Sequence, residues 1–190
     1  MGPLHPPRRI LVVGVIHGDE TAGLAITREL LRVAPVPSTE VVVVPDLNPD
    51  GVALGTRQNF RGVDLNRNFP YRWRSPGRRG DPQYPGKAPL SEPESRSMAA
   101  LVRELRPTAS VWFHQPVGVV DESGGSVMVE RRFATVVGLP LRRMQRYNGS
   151  AVSWQNVSLP RTSAFVVELP RRVSASLSAK VVRALQDLEH

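Results

Sequence analysis

The stretch "RRILVVGVIHGDETAG", residues 8–23, decides how the chain is read. From Ile10 to Ile16 every residue is aliphatic or glycine, the pattern of a strand buried on both faces. Such a strand should end in a turn, and this one ends in His17, Gly18, Asp19 and Glu20. Two explanations are open at this point: an ordinary polar loop, or a strand end that presents metal ligands.

Working outward, Ala22, Ala25, Ile26, Leu30 and Val33 recur at helical spacing, and Pro35 closes the segment. "EVVVVPD" (40–46) follows as a second buried strand. Strand, helix and strand in such short order make a βαβ unit, expected to be parallel and right-handed. From Asp46 to Pro89 the pattern dissolves into Gly, Pro, Asn and Arg. Irregular segments beyond about 15 residues are usually functional or disordered, and this one holds the densest polar motif in the chain, so it is read as functional.

Helical order resumes at "SEPESRSMAALVREL" (91–105), where Ser91 and Glu94 are spaced as a capping box with Pro93 in the first turn. "ASVWFHQ" (109–115) reads as a third strand and "GVVDE" (118–122) as a short fourth. Residues 125–137 suit a helix, and 148–158 are ambiguous. "SAFVVELP" (163–170) is a buried strand carrying one glutamate, and "SASLSAKVVRALQDL" (174–188) a closing amphipathic helix. A single domain over residues 1–187 is expected, with the final "LEH" (188–190) resembling the start of an expression-tag scar.

Composition excludes several classes. With no cysteine, neither a disulfide framework nor a thiolate metal site can form. The opening "MGPLHPPRR" lacks the apolar core of a signal peptide, and no run approaches the roughly 18 apolar residues of a membrane span, so a cytoplasmic location is expected. The net charge is +8, and 23 of the 25 basic residues are arginine. They are scattered rather than gathered in a stripe with aromatics, which argues against nucleic acid and membrane as partners and leaves a small acidic substrate.

Four ionisable residues stand at or just past the ends of apolar strands: His17, Glu20, His114 and Glu168. In an open α/β sheet the carboxyl ends of the strands line the ligand crevice, so these groups are expected to converge. Two histidines and one carboxylate with an open fourth position form a catalytic zinc set, and the H-x-x-E spacing of His17 and Glu20 lets both approach one ion. Asp19 falls outside that spacing and is expected either to be structural or to support the ligands without binding the ion. Glu168, flanked by valine and leucine, would have its pKa raised by desolvation toward that of a general base, unless it faces water. "GTRQNFRGVDLNRNFP" (55–70) adds Arg57, Asp64, Asn66 and Arg67, and arginine with asparagine is a combination that grips a carboxylate.

Taken in order, "HGDE", "GVDLNRNFP", "FHQP" and "VVELP" resemble the zinc metallocarboxypeptidase family. The nearest likeness is to its bacterial branch of murein peptide amidases, which cut γ-D-glutamyl-diaminopimelate bonds. "NPDG" (48–51), "YPGKAPLSEPES" (84–95) and "HQPVGVVD" (114–121) extend the likeness across residues 9–170. It implies a three-layer α/β/α sandwich with a mixed, mainly parallel sheet. It also implies one zinc ion held by His17, Glu20 and His114, with Glu168 as general base and acid. Arg57 would polarise the scissile carbonyl, Asn66 and Arg67 would bind the substrate's terminal carboxylate, and Asp64 would orient the first zinc histidine. Tyr147 is placed where relatives carry a substrate-covering tyrosine.

Relatives usually have further strands before the first zinc motif, so the sheet is expected to be trimmed at its N-terminal side or the sequence truncated there. Within enzymes the rival is an N-acyl amino acid deacylase of the aspartoacylase or succinylglutamate desuccinylase type, which shares H-G-x-E and D-L-N-R; "NRNFP" and "SEPE" favour the peptidase. A non-catalytic binding protein keeping the fold is the alternative from another class, and the complete set of ligands, base and carboxylate-binding pair gives it no support.

Overall fold

The computed structural model describes residues 8–34, 37, 39–75 and 77–188. Six strands form one sheet: β1 (Arg8–Val13), β2 (Thr39–Val44), β3 (Ala109–His114), β4 (Val117–Asp121), β5 (Leu141–Arg142) and β6 (Ser163–Pro170), in the order β2-β1-β3-β6-β4-β5. β1 pairs in parallel with β2 and β3, β3 with β6, and β4 with β5. Only the β4–β6 pair is antiparallel. The sheet is thus mixed and mainly parallel, as the family resemblance implied.

Alternation along the strands builds a core on each face. Ile10, Val12, Val111, Phe113, Phe165 and Val167 meet Ile26 of α1 (Gly23–Leu30), Phe133 of α4 (Val127–Val137) and Val181 and Leu185 of α6 (Ala175–Gln186). Leu11, Val13, Trp112 and Ala164 meet Met98 and Val102 of α3 (Pro93–Leu105) and Trp154 of α5 (Ala151–Ser158) on the other side. Three layers result. Leu188, in the stretch read as a tag remnant, is buried in the first core, while Glu189 and His190 lie outside the described residues.

Several expectations shift. The first strand ends at Val13 rather than Ile16; Gly14 N still donates to Val44 O, and Gly14 packs against Pro45, whose carbonyl oxygen would lie 2.3 Å from a Cβ there. Val15 and Ile16 stay buried nonetheless. The segment after Asp46 is not wholly irregular: it contains α2 (Pro49–Leu54), capped by Asn48, and a 3-10 turn over Leu65–Arg67 capped by Asp64.

The capping box before α3 does not form, and Glu92 is the N-cap residue without a side-chain cap. Ser91 Oγ instead accepts from Asn68 Nδ2 and donates to Glu92, while Glu94 accepts from Asn59. Buried Asn68 is the hub: its Nδ2 donates to the carbonyls of Pro85 and Ala88, and its Oδ1 accepts from Glu92 N and Ser95 Oγ. These amides add to the buried Val63, Leu65 and Phe69 in anchoring the segment.

Candidate active site

β1 and β3 end side by side, and the turn after Ile16 carries His17 to the end of β3, where His114 stands. Gly18 makes this possible, since a Cβ on it would fall 1.9 Å from the carbonyl carbon of Gly51 in α2. Asn48 locks the same junction by donating to the carbonyls of Ile16 and Arg57 and accepting from Gly51 N. The next turn closes with Glu20 N donating to His17 O, which brings the Glu20 carboxylate back to the histidines.

His17 Nδ1 lies 3.1 Å from Glu20 Oε1, His114 Nδ1 2.8 Å from Glu20 Oε2, and the two Nδ1 atoms are 3.1 Å apart. One ligand atom from each of the three residues lies within 4.8 Å of the others. The outer nitrogen of His17, Nε2, faces Asp64 Oδ1 at 3.2 Å, which favours the tautomer that leaves Nδ1 as an acceptor. Two imidazole nitrogens and a carboxylate aimed at one point suit a zinc ion, and the donor set fits. Burial alone would raise the Glu20 pKa, but His114 and His17 outweigh it and hold the carboxylate well below its usual range. Burial opposes ionisation of Asp64 in the same way, and His17 and Arg57 overcome it.

Arg57 bridges this cluster, donating from Nε to Asp64 at 2.8 Å and from Nη1 to Glu20 at 3.3 Å. Glu168 pairs in register with His114 on β6, so both carry their side chains on the α3/α5 face. Burial pushes its pKa up, with His114 opposing, and its Oε2 is buried without a hydrogen-bond partner. Arg67 is also buried; Nη1 donates to Asn66 O, and Nε has no partner. Tyr147 lies over the Arg67 guanidinium at 4.3 Å. Asn66 is largely engaged, since Oδ1 accepts from Ala151 N at the start of α5 and Nδ2 lies 3.4 Å from His114 Nε2. All nine residues singled out from the sequence therefore belong to one neighbourhood, and all but Asp64 line a cavity of about 350 Å³. Asp19 is exposed.

The residues match the zinc carboxypeptidase family model over residues 5–129. The chain belongs to the zinc carboxypeptidase family. Murein peptide amidase A of Escherichia coli K12 is 34% identical over 157 residues, covering 76% of this chain and 64% of the relative, so the chain spans just under two thirds of that protein's length. The Vibrio campbellii murein peptide amidase A is 35% identical over 185 residues, covering 90% and 72%. Among solved structures, murein-tripeptide amidase MpaA from E. coli O157 superposes with a TM-score of 0.76 at 31% identity, covering 97% of this chain and 81% of that one.

Sequence reasoning missed the far wall of the cavity. Asp121, Ser123, Met144 and Arg146 line it, brought there by β4 and by the segment after β5. Asp121 closes the quoted "HQPVGVVD" as an acid at the end of an apolar strand, the same signal that marked Glu168. Arg146 carried none.

Proposed function

We propose that the chain is a zinc-dependent amidase that cleaves a peptide bond next to the carboxylate end of a small acidic murein peptide, the γ-D-glutamyl-diaminopimelate bond. The observation that carries this is the pair of unsatisfied groups in one cavity: Glu168 Oε2, which can take a proton, and Arg67 Nε, which can bind an anion. Buried groups of this kind are costly unless a ligand completes them. The murein peptide amidases at 34–35% identity support the substrate.

His17, Glu20 and His114 would hold the metal. When bound there, zinc supplies Lewis acidity, polarising a carbonyl and making water a nucleophile near neutral pH. Glu168, with its raised affinity for a proton, accepts one from the attacking water and passes it to the departing nitrogen. Arg57 stabilises the oxyanion as the carbonyl carbon becomes tetrahedral. Arg67 and Asn66 hold the terminal carboxylate, and Tyr147 covers the bound residue.

No helix among the described residues is long and apolar enough to cross a membrane. We place the reaction in the cytoplasm, on free peptides recovered from the cell wall. The test is to incubate the zinc-loaded chain with L-Ala-γ-D-Glu-diaminopimelate, N-acetylaspartate and succinylglutamate. Release of diaminopimelate is expected, and hydrolysis of the acyl amino acids alone would refute the assignment.

A further inference from the structure

The cavity has two ends, and only one carries the hydrolytic groups. In the antiparallel register of β4 on β6, Val119 stands opposite Glu168 and Val120 opposite Val167, so Asp121 stands opposite Val166. Asp121 and Val166 share the face of Glu168, two residues deeper, or about 7 Å at about 3.3 Å per residue. There the Asp121 carboxylate is buried. Its Oδ2 accepts from Arg146 Nη1 and from Ser123 Oγ, both at 2.7 Å, and its Oδ1 accepts from Met144 N at 2.8 Å. Arg146 also donates from Nη1 to Met144 O at 3.4 Å. Among the described residues no acceptor is bonded to its Nε or Nη2, and a quarter of the side chain is open to solvent.

Removing an ion pair from water costs more than the pairing returns unless further polar groups complete it. We propose that Asp121 and Arg146 form a second recognition point, selecting a leaving residue whose side chain ends in an ammonium and a carboxylate on one carbon. This rests on the amidase reading, which puts the leaving residue's own carboxylate at Arg67 and its nitrogen at Glu168. A stem of three methylenes, an extended zigzag of four bonds of about 1.5 Å each, sets the two α-carbons of a diamino diacid about 5 Å apart, which brings the far head to Asp121. Its carboxylate meets the remaining N–H groups of Arg146, and its ammonium meets Asp121 and the Ser123 hydroxyl. The head is a zwitterion and the pair is neutral, so the complex adds no net charge to the cavity. Lysine would fill the stem and reach Asp121, but leave Arg146 uncompleted. Norleucine would leave both uncompleted.

The experiment compares three tripeptides, L-Ala-γ-D-Glu followed by meso-diaminopimelate, lysine or norleucine, on the zinc-loaded full chain. A hydrogen-bonded charge is worth about 10- to 100-fold, so kcat/KM should fall by that factor from diaminopimelate to lysine and again to norleucine. In Arg146→Met the preference over lysine should collapse to within about threefold, mainly through KM. Equal kcat/KM for the first two peptides in the wild type, or an unchanged preference in Arg146→Met, overturns the proposal. Asp121→Asn, the second variant, should erase the preference of lysine over norleucine, and its persistence would count equally against the pair. Calorimetric titration of free meso-diaminopimelate separates the two levels of inference. If no peptide is cleaved but the amino acid binds wild type at least tenfold tighter than Arg146→Met, the amidase reading fails and the recognition point stands. Equal binding to both removes the recognition point.

Discussion

Glu130 on α4 offers a test of how burial governs the wall of the cavity. It is fully buried; Oε1 accepts from Ser123 N at 3.0 Å, and Oε2 has no partner. Burial, with Asp121 and Glu122 adding like charge, pushes its pKa from 4.5 up to about 7, against the opposing pull of the Ser123 and Gly125 N–H groups. The folded state therefore holds a proton that the unfolded chain has lost between pH 4.5 and pH 7, and stability falls as pH rises through that window. At about 1.4 kcal/mol per pH unit the ceiling is about 3.5 kcal/mol, and solvent relaxation around the carboxylate lowers it to about 1–3 kcal/mol. Glu130→Gln keeps the acceptor for Ser123 and cannot ionise. Its melting temperature should match the wild type near pH 5 and exceed it by about 3–8 °C at pH 8, read by calorimetry or circular dichroism across pH. Parallel curves for the two proteins, or a variant less stable at pH 8, would refute the account.

Other outcomes follow from the same structure. Glu168→Gln should retain one zinc per chain by metal analysis and lose at least about 100-fold in turnover; near-normal turnover would take Glu168 out of the mechanism. Asn68→Ala removes the amide hub of the long segment and should cost about 2–4 kcal/mol in urea unfolding, with early proteolysis between residues 70 and 92. Gly149→Ala puts a Cβ 1.8 Å from Arg67 O at a positive φ of 75° and should lower both stability and activity, the latter through KM. A variant that melts and turns over like the wild type would contradict the close approach.

The central parallel strands were legible because a strand covered on both faces must be apolar, as "ILVV", "VWF" and "AFVV" are; "VVVV" of β2 carries the same signal but lies at the sheet edge, where its valines are half-buried rather than buried. The ligand set was legible for a related reason: polar residues closing such runs have few purposes except function. Strand ends were harder, since Gly14 to Ile16 remains apolar and buried, and Gly14 and Val15 still make backbone hydrogen bonds, after the strand ends at Val13. α2 hid in turn-like composition, its six residues capped by Asn48 at one end and Gly55 at the other. The capping box misled because Asn68 and Asn59, distant in sequence, claim Ser91 and Glu94. Arg146 was invisible because its place depends on the two-residue β5 and on Asp121, a pairing that no local periodicity announces.

The single reversal of strand direction at β4 has a consequence for how such a protein can diversify. The metal-binding and proton-transfer groups sit at or just past the ends of the parallel strands β1, β3 and β6, whose positions are fixed by both cores, and Arg57 is tied to them through Asp64 and Glu20. The far wall hangs on β4 and on the segment leading from β5 to Tyr147, held by a handful of polar contacts around Asp121. A descendant could exchange residues 121, 123 and 146 to suit a new peptide while inheriting the cleaving apparatus intact.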